Sequence, residues 1–287
     1  MSGPSSIKQD ESTTRTRFAE VPWSLRFVHG VRQSLATWLA AQSLHERRTT
    51  TCGLQIKRRY RRARILIPLG NLYLRLQGAM SEVLPSHQWI EWESAIAGLS
   101  GNRIRACDNR AALELPIIEG VSLEEVLRSD VSLQIKLQAI SWAAESLRNL
   151  HRRRITACGV SDWSLSHGDA TCRNVIVDHD ANVATWIDFD TRHRVHLIAV
   201  TRQADDLRTL VCSCARWLDQ ANYPVLIKAA CVGYRDADVI KEMQRLFRDW
   251  RCPNVFQLAQ APLNVDEFLH LRKLVSHGPA TIPYPDA

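Results

Sequence analysis

The chain has 287 residues, a formal charge of +7, 45% hydrophobic and 23% charged residues. That length suits one large domain or two modest lobes with a real core, and the composition excludes a disordered or fibrous chain. No run reaches the ~18 uninterrupted apolar residues of a membrane helix, and residues 1–11 lack the apolar core of a signal peptide, so a cytoplasmic location is expected.

Residues 1–17, rich in Ser, Thr and charge, are predicted to be disordered. Leu25, Val28, Val31, Leu35 and Leu39 then give residues 23–46 the rhythm of an amphipathic helix, followed by a linker at 47–53. Residues 54–77 read as strands, with Pro68 and Gly70 marking a turn between two apolar runs. Within them, residues 57–64, from Lys57 to Arg64, spell KRRYRRAR. This is either a solvated basic face or a patch for phosphates or an anionic membrane surface. Tyr60 is its only aromatic, so nucleic acid is not an expected partner.

A helix is predicted around 89–99, a strand at 112–118, and a short helix at 122–128 capped by Ser122. Residues 132–154 form the clearest helix, with Leu133, Leu137, Ile140, Ala144 and Leu147 at spacings of three and four. Two strand patterns, 174–178 and 183–189, flank the turn-rich quartet 179–182 and predict a hairpin. From Arg202 onward the pattern is helical again, and prolines between 279 and 285 mark a loose tail. Strands early, helices late and one hairpin between them predict α+β architecture with segregated lobes.

The eight cysteines include no CxxC pair and read as reduced thiols. His193 and His196 have no third and fourth ligand at useful spacing for zinc. No nucleophile elbow, dinucleotide fingerprint or Walker loop is present. Most tryptophans, among them Trp89, Trp92, Trp142 and Trp217, fall on helical patterns and are expected in the core.

The hairpin carries the chemistry. His167-Gly168-Asp169 precedes it, Asn174 opens it, Asp188-Phe189-Asp190 closes it, and Asp206 follows sixteen residues after Asp190. Antiparallel pairing brings Asn174 and Asp188 side by side, with Asp169 on the loop leading in. Phosphoryl transfer needs little more: a carboxylate to receive the acceptor's proton, and hard oxygen ligands for a cation that neutralises phosphate oxygens.

These residues resemble the catalytic loop and metal-binding motif of the protein-kinase-like superfamily. The likeness is strongest to the branch of aminoglycoside and choline phosphotransferases and lipopolysaccharide-core sugar kinases. The resemblance implies a bilobal fold with a small strand-rich N-lobe and a larger helical C-lobe bearing the hairpin. Residues 1–50 would be an extension, 51–116 the nucleotide-binding N-lobe and 117–287 the catalytic C-lobe. It implies ATP and Mg2+ as cofactors, Asp169 as catalytic base, Asn174 and Asp188 as magnesium ligands, His167 as a structural member of the loop and Asp206 as its brace. Arg75 would stand where the family carries its phosphate-binding lysine, with Glu93 as its partner and Glu91 as fallback.

The glycine-rich loop is missing, Thr171 stands where protein kinases carry a lysine, and Asp190 replaces the glycine of DFG. The short interval after Asp190 leaves no room for an activation loop and peptide platform, so the expected acceptor is a saccharide or other small molecule. An atypical Ser/Thr protein kinase and a non-catalytic pseudokinase are the alternatives, the latter favoured by the absent loop and Arg75. A peripheral position at the inner membrane face would suit the basic segment. The sequence leaves the oligomeric state open.

Overall fold

The computed structural model describes residues 44–49, 54–76, 78–99, 105–107, 112–249, 263 and 265–277. The stretches expected to be disordered at 1–17 and loose at 279–285, and residues 23–43 of the expected amphipathic helix, lie outside them.

A four-stranded antiparallel sheet comes first. Its strands are β1 (His45–Thr49), β2 (Leu54–Arg59), β4 (Arg105–Cys107) and β5 (Ala112–Pro116), in the order β1-β2-β5-β4. Residues 45–49, expected as a helix end and linker, are instead an edge strand running from His45 opposite Arg59 to Thr49 opposite Gln55. The ladder to β2 overrides the local helical rhythm. Along β2, Lys57 and Arg59 are buried and Arg58 is exposed. The basic segment is thus not a uniform solvated face: the two-residue period of a strand sends alternate cations inward.

The strand reading is also corrected over residues 63–76. Ala63–Leu76 is one helix, α1, with Pro68 inside it. Ala63, Ile67, Gly70 and Leu74 are its buried positions, spaced four, three and four apart, which is helical rather than strand-like. The Asn71 side chain fastens α1 to the next strand, donating to Val83 O and accepting from Val83 N, both at 2.8 Å.

That strand, β3 (Ser81–Val83), pairs with β11 (Thr191–His193). Helix α2 (Ser86–Leu99) buries Trp89, Ile90, Trp92, Glu93 and Ile96. Strand β6 (Val121–Ser122) leads into α3 (Leu123–Arg128), where Ser122 and Glu125 close a reciprocal capping box. Helix α4 (Leu133–His151) begins at the Ser132 cap and buries Ala139, Ile140, Ala143, Ala144 and Leu147. The hairpin of β7 (Arg154–Ala157) and β8 (Val160–Ser164) follows. Next comes the expected central hairpin, β9 (Val175–Asp178) with β10 (Val183–Trp186), paired from Val183 opposite Asp178 to Trp186 opposite Val175. The Asp178 carboxylate accepts from the amides of Asp180 and Ala181, both at 3.0 Å, and sets the turn.

Helices α5 (Ala199–Ala215), α6 (Tyr223–Tyr234), α7 (Ala237–Arg248) and α8 (Val265–His277) complete the fold. One hydrophobic cluster runs from Leu84, Trp89 and Trp92 through Leu147 and Val175 to Leu207 and Met243. The architecture is α+β, with small antiparallel sheets and its helices concentrated after residue 122. Among the described residues no helix is long and apolar enough to cross a membrane. The five described cysteines, Cys158, Cys172, Cys212, Cys214 and Cys231, are free thiols.

Candidate functional site

The hairpin fixes the first part of the site. Ile187 N donates to Asn174 O at 2.9 Å, so the strand leading to Asp188 lies against the residue that opens β9. The Asn174 amide turns back and donates to Asp169 O at 2.9 Å and to Asp169 Oδ2 at 3.0 Å. The other Asp169 oxygen, Oδ1, is buried with no hydrogen-bond partner. Burial first, then the nearby carboxylates Asp190 and Asp188, push the Asp169 carboxyl up to about 7. A carboxyl poised there is half ionised near neutrality and suited to receiving a proton.

The loop that presents Asp169 is held from below. Asp206, on α5, accepts from His167 N at 2.7 Å and from Gly168 N at 2.9 Å. His151 Nε2 reaches the same carboxylate at 2.9 Å, while its Nδ1 lies 2.6 Å from the Tyr234 hydroxyl. Burial alone would raise the Asp206 carboxyl; the charge of His193 and the hydrogen bond from His151 outweigh it and hold Asp206 down at about 2. His167 is fully buried, with Nε2 2.9 Å from Ile187 O and its ring 4.6 Å from that of Phe189. Gly168 has a φ of +82°, and a Cβ there would meet the Arg192 backbone at 2.9 Å. Only glycine makes this turn without strain.

The sheet supplies the facing wall. Lys57 Nζ lies 3.0 Å from Glu93 Oε2 and 2.5 Å from Asp188 Oδ1. Burial works against the Lys57 charge, but Asp188, Glu93 and Asp190 together raise its pKa and keep it an ammonium. Trp89 Nε1 also donates to Glu93, and Lys57 and Arg59 lie over the Trp89 ring at 5.1 and 4.6 Å. Arg47, directly opposite Lys57 on β1, reaches Asp188 Oδ2 at 2.5 Å. Burial first, then Asp188, push Asp190 up to about 6.

Between these walls is a cavity of about 310 Å³. Leu115, Ile117 and Ile96 line it on the sheet and helix side, and Ile176, Trp186 and Phe189 on the hairpin side; Lys57 and Asp188 stand in its wall. An apolar slot with a few converging charges is the usual form of a small-ligand site, and this volume is at the small end of that range.

The structure therefore brings together Asp169, Asn174, Asp188, Glu93, His167 and Asp206, of which Asp188 and Glu93 line the cavity. It does not bring Arg75 to them. Arg75 is exposed in the last turn of α1, and Glu93 pairs with Lys57. The cause is the helix at 63–76, which carries Arg75 off the sheet. Glu91 accepts from Cys158 N at 2.6 Å and is likewise not in the cavity wall. Sequence reasoning missed Lys57 and Arg47. The available signal for Lys57 was the alternation of the β2 segment, in which Lys57 and Arg59 share one face; Arg47 had none, since its strand read as a linker.

Asn174, Asp188 and Asp190 offer hard oxygens, the donor type Mg2+ prefers, and Mg2+ ordinarily takes one or two carboxylates together with phosphate oxygens. Among the described residues no group of three or more His, Cys, Asp or Glu side chains gathers as a self-sufficient metal site. A site shared with a phosphate ligand fits the donor set. No protein-family model matches the chain, and no curated protein matches it.

Proposed function

We propose that this chain is an ATP-dependent phosphotransferase of the protein-kinase-like type, moving the γ-phosphate to a hydroxyl on a saccharide or other small molecule. The observation that carries the reading is Asp169. Its Oδ1 is buried and unpartnered, its carboxyl is raised to about 7, and Asn174 orients its other oxygen. An incoming hydroxyl would give that oxygen its missing donor, and Asp169 would take the proton as the acceptor oxygen attacks phosphorus. Lys57, kept cationic and aimed by Glu93, would hold phosphate oxygens from the cavity wall. The apolar slot between Leu115 and Ile176 would take the base of the nucleotide. Mg2+ bound to Asn174 and Asp188 would supply charge neutralisation on the transferred phosphate.

The interval between Asp190 and Asp206 supports a small acceptor. β11 and the first part of α5 take up most of it, with only residues 194–198 between them, which is short for a peptide-docking platform. The test is transfer of labelled γ-phosphate from ATP to a panel of saccharides and amino alcohols. Wild type should label at least one acceptor, and Asp169→Asn should lose turnover while still binding nucleotide. Transfer by Asp169→Asn at the wild-type rate would remove Asp169 from the chemistry.

A second reading, a non-catalytic relative that binds a partner, has one observation in its favour. Lys57 and Arg47 between them engage both oxygens of Asp188. It predicts no magnesium-dependent nucleotide binding at all.

A further inference from the structure

Helix α1 is apolar on two opposite sides. One buries Ala63, Ile67 and Leu74, the first two packed with Val83 and Leu44. The other carries Ile65, Leu69, Leu72 and Leu76, which are 69%, 56%, 56% and 74% exposed. Their spacings of four, three and four put all four on one stripe of the helix. A contiguous row of large exposed aliphatic side chains is uncommon on a soluble surface and marks a contact site.

We propose that this stripe docks on an anionic lipid surface, with α1 lying in the plane of the headgroups. The charge pattern selects that partner. Arg61, Arg64 and Arg75 are exposed beside the stripe, and α1 contains no Asp or Glu. An apolar face bordered by arginines without acids is the form of an interfacial helix. A second copy of the chain would set arginines against arginines. The inference does not rest on the phosphotransferase reading, because no stripe residue lines the cavity and its test contains no activity measurement.

The test is co-sedimentation of the full chain with vesicles of phosphatidylcholine alone and of phosphatidylcholine mixed with phosphatidylglycerol. Wild type should pellet with the mixed vesicles, weakly with the neutral ones, and less as salt rises. Leu69→Glu combined with Leu72→Glu should cut partitioning at least about tenfold. Arg61→Gln and Arg75→Gln should each cut it about fivefold. The urea midpoint should be unmoved in every variant, since these side chains are exposed. The proposal is overturned if wild type stays in the supernatant, if it pellets equally with neutral vesicles, or if the double Glu variant pellets like wild type. A wild-type dimer that the double Glu variant dissociates, without vesicle binding, would assign the stripe to a second copy instead.

Discussion

Lys57 and Asp188 are 131 residues apart in sequence and meet at 2.5 Å across the cavity, tying the four-stranded sheet to the end of the central hairpin. Glu93 completes the contact from α2 at 3.0 Å. Three elements thus share one charge cluster, with Lys57 as its buried ammonium and Arg47 reaching Asp188 from β1.

Removing that ammonium takes the buried cation from Glu93 and leaves Asp188 with Arg47. Lys57→Met should cost roughly 3–5 kcal/mol by urea denaturation near neutral pH. The loss should shrink in Lys57→Met combined with Glu93→Gln, because the second change removes the charge left unpaired. A double variant as unstable as the sum of the two singles would show that the pair is not coupled.

Asp169 gives a pH signature. Its folded pKa of about 7 lies above the ordinary value of 3.8, so the folded state binds the proton more tightly than the unfolded one. Stability from this group is therefore complete below about pH 4 and is lost as pH rises through about 7. Asp169→Asn removes the penalty, so its melting temperature should match wild type below about pH 4 and exceed it at pH 8. The gain should be of the order of 1–4 kcal/mol. Equal melting curves for both proteins across that range would contradict the buried, raised carboxyl.

Asp206 accepts two backbone amides and one imidazole. Asp206→Ala strands buried donors and should cost about 3 kcal/mol or more. Hydrogen exchange should speed up selectively at the His167 and Gly168 amides. Uniform acceleration across all helices would mean that Asp206 supports the whole fold rather than the loop.

Gly168→Ala tests the loop's backbone. A Cβ at a φ of +82° and 2.9 Å from Arg192 forces the segment to shift. The expected loss is about 1–3 kcal/mol, with turnover falling further than nucleotide affinity because Asp169 is the next residue. Gly159, also at positive φ but with nothing within 4 Å, is the control and should cost less on the same change.

Much of the hairpin region was legible because its signals are local. Ser122 and Ser132 announce their helices, Asp178 and Asn182 announce the turn, and the spacing of Asp169, Asn174 and Asp188 follows from one hairpin. The sheet was less legible because its signals conflict. Residues 63–76 carry Pro68 and Gly70, which mimic a turn between strands, while the helical spacing of Ala63, Ile67 and Leu74 is masked by equally apolar residues on the outer face. That second apolar face is what made the segment read as strand. Once it was read so, Arg75 fell where Lys57 stands. Arg47 is hidden because an edge strand is defined by its ladder to the next strand, and residues 45–49 carry no apolar alternation of their own.

The central claim is that a nucleotide with magnesium binds in the cavity beside Asp188. The most direct test is the melting temperature of wild type and Asp188→Ala with and without millimolar ATP and Mg2+. A ligand that binds only the folded state raises the melting temperature. The account predicts a magnesium-dependent rise in wild type that Asp188→Ala abolishes; no rise in wild type, or an equal rise in the variant, would contradict it.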